Sequence, residues 1–273
     1  MFLKEKKKLI NPPIVTPMNE KLSISVSIVL YNENLKELTK TIQCFLELPL
    51  QKKLYLIDNT PKKLFEDKFN YPEIVYIPVG KNVGFGAGHN RILTAIENTS
   101  KYHLVLNPDV VFQKKVIQNL ILELEKNSEI AMIAPKVLFP NGAHQYSCRR
   151  YPHILELFAR RFPLLKTIFK STIFKGTYRD KNLKEPFYAE YITGCFHLYK
   201  TNDFVKLKGF DERYFLYMED VDICKKIDNL GMKKLYFPQE EIIHVLKQGS
   251  SKSPNLFFRH TFSAIKYFLK WGI

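Results

Sequence analysis

The sequence predicts an α/β fold in which helices flank a mostly parallel β-sheet, with a helical tail at the end of the chain. Short β-rich segments alternate with helical ones, a pattern typical of parallel sheets with crossover helices. Some β-rich segments are apolar throughout and then end in polar residues, as strands buried on both faces do. The length of 273 residues, with 45% hydrophobic side chains, suffices for one large α/β domain or two smaller ones.

The predicted elements can be placed in order along the chain. Residues 1–20 form a basic, proline-containing arm, and the strand that follows is rich in Ile and Val. The expected elements are a strand from about 22 to 30, a helix at 35–48, strands at 53–57 and 74–79, a helix at 91–98 and a strand at 102–106. Near the C-terminus, apolar residues recur at helical spacing, namely Phe258, Phe262, Ile265 and Leu269.

A glycine-rich segment with Gly84, Gly86 and Gly88 stands between the strand at 74–79 and the helix at 91–98. Its spacing differs from GxGxxG, it does not follow the first strand, and no Walker Lys-Ser/Thr pair is present, so both common phosphate-binding loops are disfavoured. Two interpretations stay open. The glycines allow close backbone approach to a ligand, with the next helix N-terminus holding a diphosphate, or the segment is a flexible connection.

Carboxylates are concentrated at one point of the second half, where Glu219, Asp220 and Asp222 fall within four residues. Such a cluster beside apolar neighbours indicates a functional site, although acidic residues also favour a solvated helix start. In the first half, an apolar run ends shortly before Asp109. A carboxylate just past a buried strand can bind a hard divalent cation, while an Asn-Pro-Asp turn without chemistry is the alternative.

The charge balance is strongly basic. The chain has 42 Lys and Arg against 27 acidic residues, a formal net charge of +15, which predicts an anionic partner. Phosphorylated small molecules and anionic membrane surfaces are favoured over nucleic acid, because no zinc-finger, RNP-like or helix-turn-helix signature is present. Four scattered cysteines without a CxxC pair indicate reduced thiols in a cytosolic protein. Neither a signal peptide nor a transmembrane helix is expected.

The order of the motifs along the chain is more specific than any one of them. The motifs are Tyr31-Asn32, Asp58-Asn59, Asn82-x-Gly-x-Gly-x-Gly-x-Asn90, Asn107-Pro108-Asp109, Gly194, Gly209-Phe210-Asp211-Glu212 and Glu219-Asp220. Over roughly residues 23–250 this order resembles the inverting GT-A glycosyltransferases of family 2, specifically the bacterial rhamnosyltransferase-like and galactofuranosyltransferase-like branch. The resemblance implies a GT-A, Rossmann-like catalytic domain at 21–250, with an acceptor-facing subregion at 140–190, followed by an amphipathic helix at 251–273.

The resemblance also implies a role for each motif. The residues expected to bind the nucleotide-sugar donor are Tyr31, Asn32, Asp58, Asn59, Asn82, Gly84, Asn90 and Asn107. Asp109 would bind Mg²⁺ or Mn²⁺ at the DxD position, where Asn107 replaces the first Asp. His244 would complete the coordination, although a lone histidine at a strand end is more often structural. Asp220 would be the catalytic base, with Glu219 as a supporting carboxylate.

The implied function is transfer of one sugar from a nucleotide-sugar donor to a hydroxyl of a growing bacterial surface glycan, which can be lipid-linked: capsule, O-antigen or lipooligosaccharide. The favoured donor is dTDP-rhamnose, with UDP-hexose and UDP-galactofuranose as alternatives. A nucleotidyltransferase is disfavoured, because such enzymes usually place their glycine loop directly after the first strand, where Tyr31 and Asn32 stand. A non-catalytic anionic-lipid or glycan-binding protein would leave Asp109 and Asp220 unexplained.

Two basic amphipathic segments predict contact with an anionic membrane surface. The first lies within 151–176 and the second is the C-terminal helix. Their cations are Arg160, Arg161, Lys166 and Lys170 in the first, and Arg259, Lys266 and Lys270 in the second. The alternative is that each apolar face packs on the catalytic domain while the cations are solvated. The expected location is cytoplasmic, peripheral on the inner face of the cytoplasmic membrane.

Overall fold

The protein is described here by a computed structural model that covers residues 23–62, 64–154, 167–246 and 254–272. The strands, in chain order, are β1 (Ser23–Leu30), β2 (Gln51–Asp58), β3 (Ile74–Pro78), β4 (Tyr102–Leu106), β5 (Val110–Val111), β6 (Ile130–Leu138), β7 (Cys148–Arg149), β8 (Phe187–Tyr188), β9 (Tyr191–Ile192), β10 (Phe196–Lys200) and β11 (Lys233–His244). The helices are α1 (Leu35–Leu46), α2 (Phe85–Asn90), α3 (Leu93–Ile96), α4 (Lys114–Lys126), α5 (Lys170–Gly176), α6 (Thr201–Lys206), α7 (Glu219–Asn229) and α8 (Pro254–Trp271).

Nine strands of the described chain form one sheet, in the order β3-β2-β1-β4-β10-β6-β11-β5, with β8 paired to β11. Parallel pairing joins β1 to β2 and β4, β2 to β3, and β6 to β11. Strand β10 lies antiparallel between β4 and β6, so β6 points the same way as β4. This mostly parallel sheet with flanking helices confirms the predicted α/β class. It also brings the carboxyl ends of the parallel strands to one edge.

The register of the sheet determines which side chains meet at that edge. Leu30 at the end of β1 pairs with Asp58 at the end of β2, so the loops that follow these two strands begin side by side. At the other side of the sheet, His244 ends β11 and pairs with Val110 of β5. Asp109 directly precedes Val110 in the chain, and the pairing of β11 with β5 therefore brings Asp109 next to His244.

The central strands are buried on both faces, and the polar residues within them bond to one another. All five residues of β4 are buried. His103 in this strand bonds to Ser25 and Ser27 of β1 at 2.8 and 3.0 Å, and Ser27 also bonds to His89 of α2 at 2.7 Å. These contacts satisfy polar groups that would otherwise be costly to bury.

Helix α1 begins where the sequence predicts and ends two residues earlier than expected. The Asn34 side chain accepts hydrogen bonds from the backbone N–H groups of Lys36 and Glu37, which caps the helix N-terminus. The side chains that it buries against the sheet include Leu38, Ile42 and Phe45. Their helical spacing is typical of an amphipathic helix that packs on a sheet.

The helix expected at 91–98 is shorter than predicted, and a second helix precedes it. Helix α2 begins at Phe85, inside the glycine-rich segment, and a separate short helix, α3, follows at Leu93. A Cβ atom on Gly86 would meet the Phe210 side chain at 2.7 Å, and one on Gly88 would meet Val29 at 2.7 Å. The two glycines therefore permit close packing of α2, which outweighs their poor intrinsic helix propensity.

Helix α8 confirms the predicted helical tail, with Ser263 and Tyr267 buried against the rest of the protein. No helix in the described part of the chain is both long and apolar enough to cross a bilayer. The basic arm at 1–20 lies outside the described residues, and so does the part of the first basic segment at 155–166, which includes Arg160, Arg161 and Lys166.

Candidate active site

A cavity of about 440 Å³ opens at the carboxyl edge of the sheet, where the loops after β1, β2, β3 and β4 meet. The predicted site residues that line it are Tyr31, Asn59, Asn82, Gly84, Asn107, Asp109 and His244. The predicted site residues outside the lining are Asn32, Asp58, Asn90, Glu219 and Asp220. The sheet topology therefore brings together the residues of the first half with His244, which lies more than 130 positions further along the chain than Asp109.

Asp109 and His244 lie together at one end of this cavity, which we call the acidic end after Asp109. The Nε2 atom of His244 lies 3.3 Å from Oδ1 of Asp109 and 3.2 Å from the side-chain amide of Asn107. The other ring nitrogen, Nδ1, lies 3.0 Å from Oε1 of Gln145, which also donates a hydrogen bond to the His244 carbonyl. Because Gln145 binds Nδ1, it fixes the ring with Nε2 facing Asp109.

The charges around His244 favour a proton on its ring. Burial alone would lower the pKa of His244, but Cys195 and the Asp109 carboxylate outweigh burial and raise that pKa to about 10. The imidazolium then neutralises the carboxylate of Asp109, which is itself nearly buried. A site of this kind exchanges its proton for a metal ion when one binds, because a histidine ligand must be deprotonated.

The donor set at this end fits a divalent cation whose coordination is shared with a ligand. Within the described residues, no three His, Cys, Asp or Glu side chains converge to form a complete metal site. Asp109 and His244 would supply two ligands, and diphosphate oxygens and water can supply the rest. The lining residues that the structure describes include no Lys or Arg.

The loop after β2 holds one predicted residue in the cavity and one behind it. Asp58 is fully buried, and it accepts hydrogen bonds from the Thr60 N–H at 2.8 Å and the Tyr76 hydroxyl at 2.5 Å. Thr60 in turn accepts a hydrogen bond from the Asn32 N–H at 3.0 Å. Asp58 and Asn32 thus position the loops around the cavity, and a direct contact with the nucleotide stays a prediction for both.

Asn59 is the residue of this loop that faces the cavity. Its Nδ2 donates to the carbonyl of Gly84 at 3.0 Å, whereas its Oδ1 is buried with no hydrogen-bond partner in the described structure. A buried amide oxygen without a partner is costly. The Asn59 side chain therefore holds one unpaired acceptor in the wall of the cavity.

The glycine-rich segment packs under the loop that precedes α7. Gly84 has φ +95°, and a Cβ atom there would lie 2.2 Å from the carbonyl oxygen of Phe215. The N–H of Phe85 donates to that same oxygen at 3.1 Å. Only glycine fits at position 84, because any other residue would be strained at this φ angle and its Cβ atom would collide with the Phe215 carbonyl.

Asn90 does not line the cavity, and its side chain bonds to the loop before α7 instead. Its side-chain amide donates to the carbonyl of Phe210 and accepts from the N–H of Phe210, both at 2.8 Å. The donor role that the resemblance implies for Asn90 stays a prediction. In the structure, these two hydrogen bonds join α2 to the loop before α7.

The predicted base lies at the start of α7. Oδ2 of Asp220 accepts a hydrogen bond from the Gly194 N–H at 3.2 Å, and Oδ1 accepts one from the Val221 N–H at 2.9 Å. A Cβ atom on Gly194 would meet Cβ of Asp220 at 3.4 Å and the ring of Phe85 at 3.6 Å. Since Phe85 lines the cavity, the half-buried Asp220 stands beside one of its walls.

The two neighbouring carboxylates at the start of α7 have different electrostatic surroundings. Burial raises the pKa of Asp220, although the Gly194 and Val221 N–H groups and the charge of Arg149 oppose this rise. Burial and the charge of Asp220 raise the pKa of Glu219 well above its ordinary range. Oε2 of Glu219 is also buried without a hydrogen-bond partner in the described structure. We conclude that Glu219 holds the proton of the pair at neutral pH and Asp220 the charge.

Asp222 is a structural carboxylate, although it lies only two residues from the predicted base. It is fully buried and accepts hydrogen bonds from Tyr214, Lys270 and Trp271 at 3.2, 2.7 and 2.7 Å. Because two of these donors belong to α8, Asp222 ties the C-terminal helix to α7. Its place in the acidic cluster did not reveal this role.

Sequence reasoning missed two further residues of the site, Gln145 and Arg149. Gln145 orients His244 across 99 positions of the chain, and Arg149 lies close enough to stabilise the charge of Asp220. Neither residue stands in a motif. Arg149 belongs to a two-residue strand, β7, which pairs with β9, and no periodic pattern is readable over so short an element.

Known proteins resemble this chain in sequence. Residues 25–207 match the model of Glycosyl transferase family 2. The N-acetylglucosaminyl-diphospho-decaprenol L-rhamnosyltransferase of Mycobacterium tuberculosis (strain ATCC 25618 / H37Rv) is 26% identical over 208 residues, which are 72% of this chain and 66% of that protein. Rhamnosyltransferase WbbL of Escherichia coli (strain K12) is 29% identical over 213 residues, 72% of this chain and 74% of that protein. The match thus spans slightly less than two thirds of the mycobacterial protein.

A solved structure supports the fold. The crystal structure of GalNAc-T7 with UDP, GalNAc and Mn²⁺ superposes with a TM-score of 0.64 and 16% identity, over 92% of this chain and 50% of that one. This likeness confirms the GT-A arrangement of sheet and helices that the sequence predicts. Because the family model matches residues 25–207 of 273, more than half of the chain, the protein belongs to glycosyl transferase family 2.

Proposed function

We propose that this glycosyltransferase moves rhamnose from dTDP-rhamnose to a hydroxyl group of a growing, lipid-linked bacterial surface glycan, with inversion at the anomeric carbon. The observation that carries the proposal is the half-buried Asp220 carboxylate, held by two backbone N–H groups beside the cavity wall. The names of both relatives include rhamnosyltransferase, which favours rhamnose as the sugar. The mycobacterial name also includes a lipid diphosphate, which favours a lipid-linked acceptor.

In this proposal Asp220 is the general base. An acceptor hydroxyl is a weak nucleophile near neutral pH, and a carboxylate that takes its proton during attack contributes roughly 10²–10⁴-fold to the rate. The Gly194 and Val221 N–H groups orient the carboxylate. Glu219, which holds a proton, adds no second negative charge beside Asp220. The acceptor oxygen attacks the anomeric carbon directly, and no covalent intermediate with the enzyme is required.

The departing nucleoside diphosphate would lie at the end of the cavity formed by Asn107, Asp109 and His244. A divalent cation bound there supplies charge neutralisation for the diphosphate as the glycosidic bond breaks. Asp109 and His244 would hold the cation, and Gln145 keeps the His244 ring oriented toward it. Mg²⁺ and Mn²⁺ both suit a site of mixed oxygen and nitrogen ligands that leaves positions open for phosphate.

The nucleotide base would meet the unsatisfied Oδ1 of Asn59. Thymine and uracil each have a ring N–H that can donate to this oxygen, so the contact is compatible with dTDP and UDP donors alike. The preference for dTDP-rhamnose over UDP-hexose or UDP-galactofuranose therefore depends on the names of the relatives. A direct comparison of donors has to decide among them.

The test is a screen of nucleotide sugars for release of nucleoside diphosphate in the presence of Mg²⁺ or Mn²⁺ and a lipid-linked glycan acceptor. The proposal expects acceptor-stimulated release with dTDP-rhamnose and little with the UDP sugars. Stimulated release with a UDP sugar alone would replace rhamnose while keeping the transfer reaction. Binding without release of diphosphate from any donor would contradict transfer and support the non-catalytic binding protein.

A further inference from the structure

Helix α8 has four large apolar residues on its outer face. Phe258, Phe262, Ile265 and Leu269 are 57%, 61%, 49% and 83% exposed. At 100° per residue, these four positions fall within about 60° of the helix circumference and form one continuous stripe along almost its whole length. We call them the apolar stripe. Contiguous exposed apolar surface of this kind is rare on proteins without an interaction partner.

The rest of α8 holds the helix on the domain through apolar packing of Tyr267, Phe268 and Trp271 and through several polar contacts. The hydroxyl of Ser263 donates to the carbonyl of Leu216 at 2.9 Å, and Nζ of Lys266 donates to the carbonyl of Arg213 at 2.7 Å. Nζ of Lys270 pairs with Asp211 at 2.8 Å and with Asp222 at 2.7 Å. The sequence alternative, in which the apolar face packs on the domain and the cations are solvated, does not hold for the four stripe residues, which are exposed, or for Lys270, which is paired.

Charge identifies the kind of partner. Helix α8 contains Arg259, Lys266 and Lys270 and no Asp or Glu, and Lys247 and Lys252 precede it in the sequence. A second copy of this chain would bring the same cations to the same surface, and the whole chain has a formal net charge of +15. An anionic bilayer offers both an apolar interior for the stripe and negative headgroups for the cations.

We propose that α8 lies in the plane of an anionic lipid bilayer, with the apolar stripe inserted among the acyl chains and with Arg259 and Lys266, which lie beside the stripe on the helix, at the headgroups. Leu256, in the first turn of α8, also lines the cavity. A helix held this way brings the cavity close to the membrane surface. The inference does not depend on which sugar is transferred, because it rests on the surface of α8 and on the charge of the chain.

The test measures binding of the intact protein to vesicles of phosphatidylglycerol mixed with phosphatidylcholine, and to vesicles of phosphatidylcholine alone. The wild type should bind the anionic vesicles more tightly, and this binding should weaken with added salt. The double substitution Phe262→Glu with Leu269→Glu should reduce it at least about tenfold, since each charge would have to enter the apolar region. The thermal unfolding midpoint should stay unchanged, because both side chains are exposed.

The matched control is Leu122→Glu. Leu122 is 61% exposed on α4, another helix of the protein surface, and its substitution should leave vesicle binding unchanged. Equal binding by the wild type and the stripe variant, or equal binding to neutral and anionic vesicles, would overturn the proposal. So would a dimer in the absence of vesicles that the stripe substitutions dissociate, because the stripe would then be a subunit interface.

Discussion

Asp109 and Asp220 are two carboxylates of one site, and their surroundings are opposite. Asp109 is nearly buried against His244, whose raised pKa puts a positive charge beside it. Asp220 is half-buried, bonded by two backbone N–H groups and next to a protonated Glu219. Asp109 is thus suited to bind a metal cation, which would displace the proton of His244. Asp220 is suited to stay charged until it accepts a proton from the acceptor hydroxyl.

Because their surroundings differ, the roles of Asp109 and Asp220 can be separated experimentally. If the assignment is right, substitutions at one end should change cation and diphosphate binding, and substitutions at the other end should change the chemical step. A single site in which both carboxylates bind the same cation would give the same pattern of defects for both.

Asp220→Asn should have the largest effect on catalysis. The amide cannot accept the acceptor proton, so we expect transfer to fall at least about a hundredfold while donor binding and the thermal unfolding midpoint stay the same. The measurement is single-turnover transfer at saturating donor. Near-normal transfer by the folded variant would remove Asp220 from the role of base.

A matched control for this substitution is Asp203→Asn. Asp203 is another half-buried carboxylate and belongs to α6, which directly follows β10. Lys200, the last residue of β10, pairs with Tyr102, the first residue of β4. Asp203 therefore lies at the edge of the sheet away from the cavity. Its transfer rate should equal that of the wild type, so a large loss there would show that the assay reports general destabilisation.

Asp109→Ala should have the next largest effect, on binding of the diphosphate. We expect affinity for the nucleoside diphosphate to fall about thirtyfold or more, and affinity for the nucleoside to stay unchanged, because only the diphosphate would meet the cation. EDTA should suppress wild-type transfer, and added Mg²⁺ or Mn²⁺ should restore it. Full activity in excess chelator would mean that diphosphate charge is balanced in another way.

Gln145→Leu tests whether the orientation of His244 matters at the acidic end. Loss of the Gln145 contact frees the ring, and outer-shell substitutions of this type cost roughly 10–100-fold in metal affinity, so we expect about a tenfold rise in the Mn²⁺ concentration needed for half-maximal activity. The rate at saturating Mn²⁺ should recover. A loss that saturating Mn²⁺ does not relieve would indicate misfolding of the loop instead.

Glu219→Gln should have the smallest effect of these substitutions. It tests the charge assigned to Asp220 and its neighbour. Asp220 must be charged to act, and burial raises its pKa, so kcat/KM should fall as the pH drops through a value above the ordinary pKa of about 3.9 for Asp. Because Glu219 is already neutral, its substitution should change the rate by less than about threefold. A shift of this acid limb to lower pH would show that Glu219 is charged in the wild type.

The sequence predicted the parts of the site that depend on neighbouring residues. The β-rich segment of β1 and the buried run of β4 correctly indicated that Tyr31 and Asp109 would follow the ends of strands. The acidic start of α7 was also readable, because Glu219 and Asp220 precede a helical pattern. In each case the signal and the structure that it predicts lie within a few positions of each other.

The remaining parts depend on contacts between distant residues. Helix α2 forms over glycines because Phe210 and Val29 pack against them, and propensity alone disfavours that helix. The pairing of β11 with β5, which brings His244 to Asp109, is set by sheet topology. The outward face of α8 follows from the bonds of its polar face to Asp222 and its neighbours, which a helical wheel alone does not show.

The most direct test of the division between the two carboxylates is Mn²⁺ binding to both variants, measured by electron paramagnetic resonance in the presence of dTDP. The account predicts that Asp220→Asn binds Mn²⁺ with wild-type affinity, although its transfer is nearly abolished, and that Asp109→Ala no longer binds Mn²⁺ in the same concentration range. Loss of Mn²⁺ binding in Asp220→Asn, or its retention in Asp109→Ala, would contradict the assignment of cation binding to one carboxylate and proton transfer to the other.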